Sequence, residues 1–207
     1  MQDGLSSTFK IMHGATLIGD FELSIPGYHN AKNSLAAIAL LIDLGFSIPD
    51  ISRILTEFKG VARRLEKIGE TAQGVLVFDD YAHHPEEIRK TLDALRKAYP
   101  DKKITVVFQA HTYERTESLM SEFASSFAKI YELIILPTFI SARNSNFENH
   151  DTDKKLVDAV RMFMPNVKLI SEQKDVIEYL NLNIKSPNHI ILTMGAGDVY
   201  HIAEKLI

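Results

Sequence analysis

Val75-Leu76-Val77-Phe78-Asp79-Asp80-Tyr81-Ala82-His83-His84-Pro85 is the stretch on which the fold of this chain turns. Four apolar strand formers run without alternation into two carboxylates, a phenol and two imidazoles. Pro85 then suits the first position of a helix, with Glu86 and Glu87 in its first turn, where the helix dipole favours acids. A continuous apolar run of this length reads as a strand covered on both faces. The theme recurs at Ile104–Phe108, Leu133–Leu136, Val167–Ile170 and His189–Thr193. Helical periodicity fills the gaps, over roughly 85–98, 116–130, 152–163, 173–183 and 198–206. The alternation predicts an α/β fold: a Rossmann-like domain whose mainly parallel sheet is flanked by helices. Ligands of such sheets bind at the carboxyl ends of the strands. Leu65–Glu70, turning at Gln73-Gly74, adds a strand or hairpin leading into the sheet.

Upstream the rhythm differs. Ser7–Met12 and Thr16–Ile25 read as strands, interrupted by turn signals at His13-Gly14-Ala15 and Gly19-Asp20. Pro26-Gly27 is a sharp break. Leu35, Ile38, Ala39 and Ile42 then recur at helical spacing within Asn30–Leu44, closed by Gly45. Asn30 is suited to cap that helix. A second helix has Ser47 as cap, Pro49 at its start, and Ile51, Ile54, Leu55 and Phe58 as its stripe; Gly60 ends it. Neither helix carries a basic face, so the pair reads as packing, not as a DNA-docking motif. The change of pattern near 60–64 sets a boundary: 1–62 as one piece, 63–207 as the other.

Composition bounds the function. The 207 residues carry 23 Lys and Arg against 27 Asp and Glu, a net charge of −4. That balance argues against a general nucleic-acid binder. With 45% hydrophobic and 24% charged residues the chain has material for a core and too much for disorder. No apolar run reaches bilayer length. The absence of cysteine excludes disulfides, thiolate metal sites and cysteine nucleophiles, and fits a reducing cytoplasm.

Polar residues gather at the expected strand ends. In the Asp79–Pro85 turn any one residue could be a cap or a solvated side chain; five together at a ligand edge favour function. An Asp there can accept from a ribose diol, and a His can orient or deprotonate an amine near neutral pH. After the next strand comes Gln109-Ala110-His111-Thr112-Tyr113-Glu114-Arg115-Thr116. With a helix starting near Thr116, this loop offers His111 and Arg115 to an anion, although Arg115 alone could simply pair with Glu114 or Glu117. Gly195-Ala196-Gly197-Asp198 is a tight turn opening a helix, without the third glycine of the dinucleotide fingerprint. Asn30 and Asn33 lie one turn apart and could together read a purine edge. Arg63-Arg64, at the boundary, could bridge to phosphate. No G-x-x-x-x-G-K-[ST] segment occurs in this sequence: Asp20-Phe21 follows the Gly14–Gly19 spacing, so the chain has no phosphate-cradling loop of that type.

These motifs form an ordered set: Pro26-Gly27-Tyr28-His29-Asn30-Ala31-Lys32-Asn33, then Phe58–Arg64, Asp79–Pro85, Phe108–Thr116 and Gly195–Asp198. In that order and spacing the chain resembles the Mur ligases of peptidoglycan synthesis over nearly its whole length. The Asp79–Pro85 and Phe108–Thr116 pair is most similar to the branch that joins L-alanine to UDP-N-acetylmuramate. The resemblance implies an ATP-dependent amide ligase working through an acyl phosphate. It implies the end of a central ATP-binding domain over 1–62 and a complete C-terminal domain over 63–207. It places His29, Asn30 and Asn33 around adenine, Arg64 at ribose or phosphate, and Asp80 at the ribose hydroxyls. Tyr81, His83, His111 and Arg115 then face the incoming amino acid and the reaction centre. Mg²⁺ would be held mainly by residues outside this sequence. Three positions depart from the pattern: Ala110, Thr112, and Asn144 in Phe139–Asn144. The alternatives are a non-catalytic nucleotide- or partner-binding module, and a related murein-peptide ligase, against which Gln109 and His111 argue. A piece of this kind is expected to be inactive alone. It is also expected to expose Phe9, Ile11, Leu17, Ile18, Phe21 and Leu23, inviting self-association or disorder through residues 1–60.

Overall fold

The structure, a computed structural model, describes residues 6–25, 27–139 and 150–207. The expected break at Pro26 and the stretch 140–144 lie outside the described residues. The chain divides into two units: residues up to Val61 together with Asp93–Pro100, and Ala62–Leu92 together with Asp101–Ile207.

The first unit opens with an antiparallel hairpin, β1 (Ser7–His13) and β2 (Thr16–Leu23). Gly14 turns it at φ +61°. Gly19-Asp20 does not break β2, contrary to the turn signal. Ile11 pairs with Gly19 and Met12 with Leu17, so an extra residue bulges instead. A Cβ on Gly19 would meet the Ile48 side chain at 3.0 Å, so glycine there makes room for a neighbouring helix.

Helix α1 (Tyr28–Asp43) begins earlier than expected, with Gly27 as its cap at φ +103°. The Gly27 carbonyl accepts from the Asn30 and Ala31 amides, which places Asn30 in the first turn, not at the cap. Its far end is a Schellman turn: Phe46 N–H bonds the Leu41 carbonyl and Gly45 N–H that of Ile42. Ser47 caps α2 (Ile48–Glu57) through the Asp50 amide, with Pro49 in the first turn.

Phe21, Leu23, Ile38, Ile51 and Leu55 form a core of this unit, with Phe9, Ile11, Leu41 and Ile48 packed against it. The expectation that Phe9, Ile11, Phe21 and Leu23 would be left bare is therefore corrected. Alternation puts all four on one face of the hairpin, and the helices cover that face. Of the six residues named, Leu17 stays largely exposed, at 47%.

The second unit is a six-stranded sheet in the order β3-β4-β8-β5-β6-β7. β3 (Glu66–Glu70) is an antiparallel edge; β4 (Leu76–Asp80), β8 (His189–Gly195), β5 (Lys103–Gln109), β6 (Glu132–Leu136) and β7 (Val167–Leu169) are parallel. Alternate residues serve the two faces. Val77, Val107, Ile134 and Ile191 pack beneath α7 (Gln173–Asn183) and α8 (Tyr200–Lys205). On the opposite face Phe108 packs with tilted rings against Phe123 and Phe127 at the α5 (Met120–Ser126) side. There α3 (Pro85–Ala98) is tied to α5 through Ser126, and α6 (His150–Arg161) packs alongside α5. The helix expected over 116–130 is two pieces, α4 (Tyr113–Ser118) and α5, separated at Leu119, whose backbone leaves the helical region. Parallel order places the carboxyl ends of β4, β5 and β8 side by side.

Ile51 is fully buried in the first unit's core. Ile51→Ala should cost this unit about 2–4 kcal/mol and strip hydrogen-exchange protection from the β1–β2 amides. Unchanged protection would show that the hairpin does not depend on this core.

Candidate functional site

The site is built from three strand ends. Asp79 and Asp80 are adjacent in β4, so their side chains leave opposite faces of the sheet. Asp79, fully buried, turns toward α8. It accepts from the Thr193 hydroxyl of β8 (2.6 Å) and from Nε of Arg63 (3.0 Å). Asp80, 4% exposed, turns toward α3 and accepts from the amides of Leu65 and Ala82, each at 2.7 Å. The Thr91 hydroxyl of α3 also bonds it. Asp80 thus fastens the segment before β3 to the turn after β4. The carboxylate to which the resemblance assigns the ribose contact thus also holds two backbone amides in place.

The segment before β3 is wound tightly. Arg63 (φ +59°) and Leu65 (φ +48°) both occupy the left-handed region, costing about 1 kcal/mol or more each. Hydrogen bonds hold them there: Arg63 N–H to Glu66, and Leu65 N–H to Asp80. The winding sends the two arginines different ways. Arg63 turns inward, donating to the carbonyls of Gly195 (2.6 Å) and Gly197 (3.3 Å). Arg64 is exposed and lies 5.6 Å from the Tyr81 ring centre.

After β4, Tyr81 N–H bonds the Arg63 carbonyl at 2.7 Å. His83 is half-buried, with Nδ1 3.0 Å from the Tyr81 carbonyl and its ring edge-on to the Tyr81 ring at 5.2 Å; His84 is exposed. After β5, His111 brings its ring to 5.6 Å from that of His83 and stacks parallel to Phe139 at 6.4 Å. Thr112 caps α4 by accepting from the Arg115 amide, so the helix starts at Tyr113 and Arg115 lies within it, where the sequence reading had a loop. Tyr81, His83, His111 and Arg115 are therefore one cluster within the second unit. Nδ1 of His111 and one terminal nitrogen of Arg115 are buried with no hydrogen-bond partner among the described residues. Glu117, a candidate surface partner for Arg115, accepts instead from Thr152.

After β8 the glycine turn rests on the β5 end. A Cβ on Gly195 would come within 2.2 Å of the Gln109 carbonyl, and one on Gly197 within 2.2 Å of Gln109 Oε1. Glycine is required for this close approach, at Gly195 also for its φ of +143°. Arg63, read in the sequence as able to bridge to phosphate together with Arg64, instead bonds inside the fold, and Gln109 and Phe139 shape the site beside it.

His29, Asn30 and Asn33 belong to the first unit, on the opening turns of α1. His29 folds back over Gly27, where a Cβ would meet its ring at 2.7 Å. Asn33 is exposed.

The Arg115 guanidinium brings a fixed positive charge to the cluster. Desolvation, then His83, then Arg115 hold the His111 imidazole below its ordinary range, so near neutral pH it keeps a free lone pair. Glu87 is the acid beside His83, with 3.8 Å separating Oε2 from Nδ1. A carboxylate or phosphoryl oxygen is the ligand that complements such a set. Mg²⁺ does not fit it: Asp79 and Asp80 are spent internally, and no group of three potential ligands is gathered among the described residues.

Residues 63–197 match the family model of the Mur ligase, glutamate ligase domain, and the chain belongs to this family. Among curated proteins it is 45% identical over 205 residues to UDP-N-acetylmuramate–L-alanine ligase of Alkaliphilus metalliredigens, covering 99% of this chain and 43% of that one. It is 40% identical over 201 residues to the ligase of the same name from Desulfitobacterium hafniense, covering 97% and 44%. The chain thus spans less than half the length of these relatives. Among solved structures, UDP-N-acetylmuramate-alanine ligase of Thermotoga maritima superposes with a TM-score of 0.79 at 25% identity, covering 98% of this chain and 44% of that one.

Burial, the largest cause, pushes Asp80 up to about 6, against the opposing pull of the Ala82 and Leu65 amides and of Arg64. The folded protein therefore keeps this proton to higher pH than the unfolded chain, whose carboxyl titrates near 3.8. Its contribution to stability is complete below the lower value and is lost as pH rises through the upper one. Measured by denaturation, wild type relative to Asp80→Asn should lose on the order of 3 kcal/mol across that window. A relative stability that is flat or rises with pH would contradict this placement of Asp80.

Proposed function

We propose that this chain is the amino-acid-sealing part of an ATP-dependent amide ligase that joins L-alanine to UDP-N-acetylmuramate. The observation that carries the reading is the convergence of His111 and Arg115, each with a buried unpartnered nitrogen, beside His83 and Tyr81. The names of the relatives supply the substrates; the cationic cluster supplies a reason why an amino acid would settle here.

In this reading Arg115 takes the alanine carboxylate through a charge-assisted hydrogen bond. His111, neutral near pH 7, orients the alanine amine and accepts a proton as it attacks an acyl phosphate. The amide C–N bond forms as the C–O bond to phosphate breaks, and inorganic phosphate leaves. His83 sets the wall against which His111 is held, and Tyr81 orients His83. Arg64, exposed beside Tyr81, is available to ATP ribose or phosphate. His29, Asn30 and Asn33 form the adenine-reading set on α1. The work of these residues is positioning and electrostatics. No step is routed through Mg²⁺. Acyl-phosphate formation requires a phosphate-cradling loop that this sequence does not contain, so turnover is assigned to a longer chain, and a cytoplasmic location belongs to the same proposal.

Phosphate release from ATP, UDP-N-acetylmuramate and L-alanine should be absent with these 207 residues and present with an enzyme that includes the phosphate-cradling part. In that enzyme Arg115→Gln should raise KM for alanine about 10–100-fold, the equivalent of one charged hydrogen bond, with KM for ATP little changed. Turnover by the isolated chain would overturn the sealing-part reading. An unaltered alanine KM would remove Arg115 from the carboxylate.

A further inference from the structure

Arg63 is the most heavily engaged side chain at the sheet edge, and nothing in the proposed reaction uses it. Its guanidinium bonds Asp79, itself fully buried, and the carbonyls of Gly195 and Gly197. It lies over two aromatic rings, Tyr81 at 5.0 Å and Tyr200 of α8 at 4.6 Å from ring centre to guanidinium carbon. Its own carbonyl holds the Tyr81 amide. One side chain therefore joins the β4 end, the turn after it, the glycine turn after β8 and the start of α8.

The glycine turn passes the constraint on. Gly195 and Gly197 rest directly on Gln109, two residues before His111. On the other side, Tyr81 rests on His83. The two histidines that meet at 5.6 Å are thus reached from Arg63 by two short chains of contact, one through Tyr81 and one through the glycine turn and Gln109. Arg63 is 23% exposed and touches neither histidine ring, which separates it from a substrate-binding group.

We propose that Arg63 is a positioning residue: held by Asp79 and set against the Tyr81 and Tyr200 rings, it fixes the glycine turn and the Tyr81 turn relative to each other, and so sets where His83 and His111 meet. Its significance for catalysis rests on the amide-ligase reading, but the placement itself is tested without turnover. The neighbouring Arg64, exposed, is left free for ligand, so the two adjacent arginines divide an internal and an external task.

The test uses this chain with labelled histidines. Arg63→Met alone leaves Asp79 buried and unpaired, and that variant is expected to melt well below wild type. The double variant R63M/D79N removes both charges and should recover most of the lost thermal stability. A residue with only a structural role would then leave the site unchanged. The positioning role predicts instead that the ring-to-ring nuclear Overhauser contact between His83 and His111 is lost in the folded double variant. The ring-proton signals of His83 and His111 should also move from their wild-type positions. Signals of His189, at the other end of β8, should stay in place as a control. A double variant that is folded and keeps the His83–His111 contact and both sets of ring-proton signals overturns the proposal. Because no substrate is involved, failure of the amide-ligase reading would leave this outcome readable.

Discussion

A buried guanidinium–carboxylate pair at the carboxyl edge of the sheet is the constraint around which this molecule is arranged. Removing Arg63 alone would leave the fully buried Asp79 carboxylate without its cation, and removing Asp79 alone would leave a partly buried guanidinium without its anion. The pair is satisfied by more than its own attraction: Thr193 completes Asp79, and two glycine carbonyls and two aromatic faces complete Arg63. The left-handed backbone at Arg63 and Leu65 is tolerated because these bonds outweigh its strain. The loops that follow β4 and β8 consequently start from fixed positions.

From those starting points a cationic cluster follows. Three parallel strands end side by side, and their loops carry Tyr81 and His83, His111 and Arg115, and the glycine turn. Asp79 and Asp80 are bonded inside the fold and Glu117 accepts from Thr152, while Glu87 stays beside His83. The Arg115 guanidinium and His111 Nδ1 keep unmet hydrogen-bonding capacity. The anion site proposed for a chain of net charge −4 is thus a matter of local side-chain orientation and not of overall composition.

Much of this was legible in the residues. Unbroken apolar runs announced the parallel strands, and the polar residues at their ends marked the edge where the site lies. Pro85 and Ser47 marked helix starts, and the strand leading into the sheet followed from Glu66–Glu70 and the turn at Gly74. Other features depended on what lies across space. Gly19-Asp20 carries a turn signal, yet the demand of the Ile48 side chain for room makes it a bulge. Thr112 captures the Arg115 amide and so moves the start of α4. That Phe9 and Phe21 are covered depends on helices from later in the chain. Which arginine of the pair points inward is decided by backbone at positive φ, for which neither residue type gives a signal. The opposite facing of Asp79 and Asp80 could have been read, since strand alternation guarantees it once β4 is extended to its last residue.

We propose that three strand ends make one site that receives a carboxylate. Titrating the histidine-labelled chain with L-alanine while following the ring signals tests it most directly. Saturable shifts of His111 and His83 that disappear in Arg115→Gln, with His189 unmoved, are the predicted result. Signals that do not respond, or that respond equally with and without the Arg115 guanidinium, would contradict it.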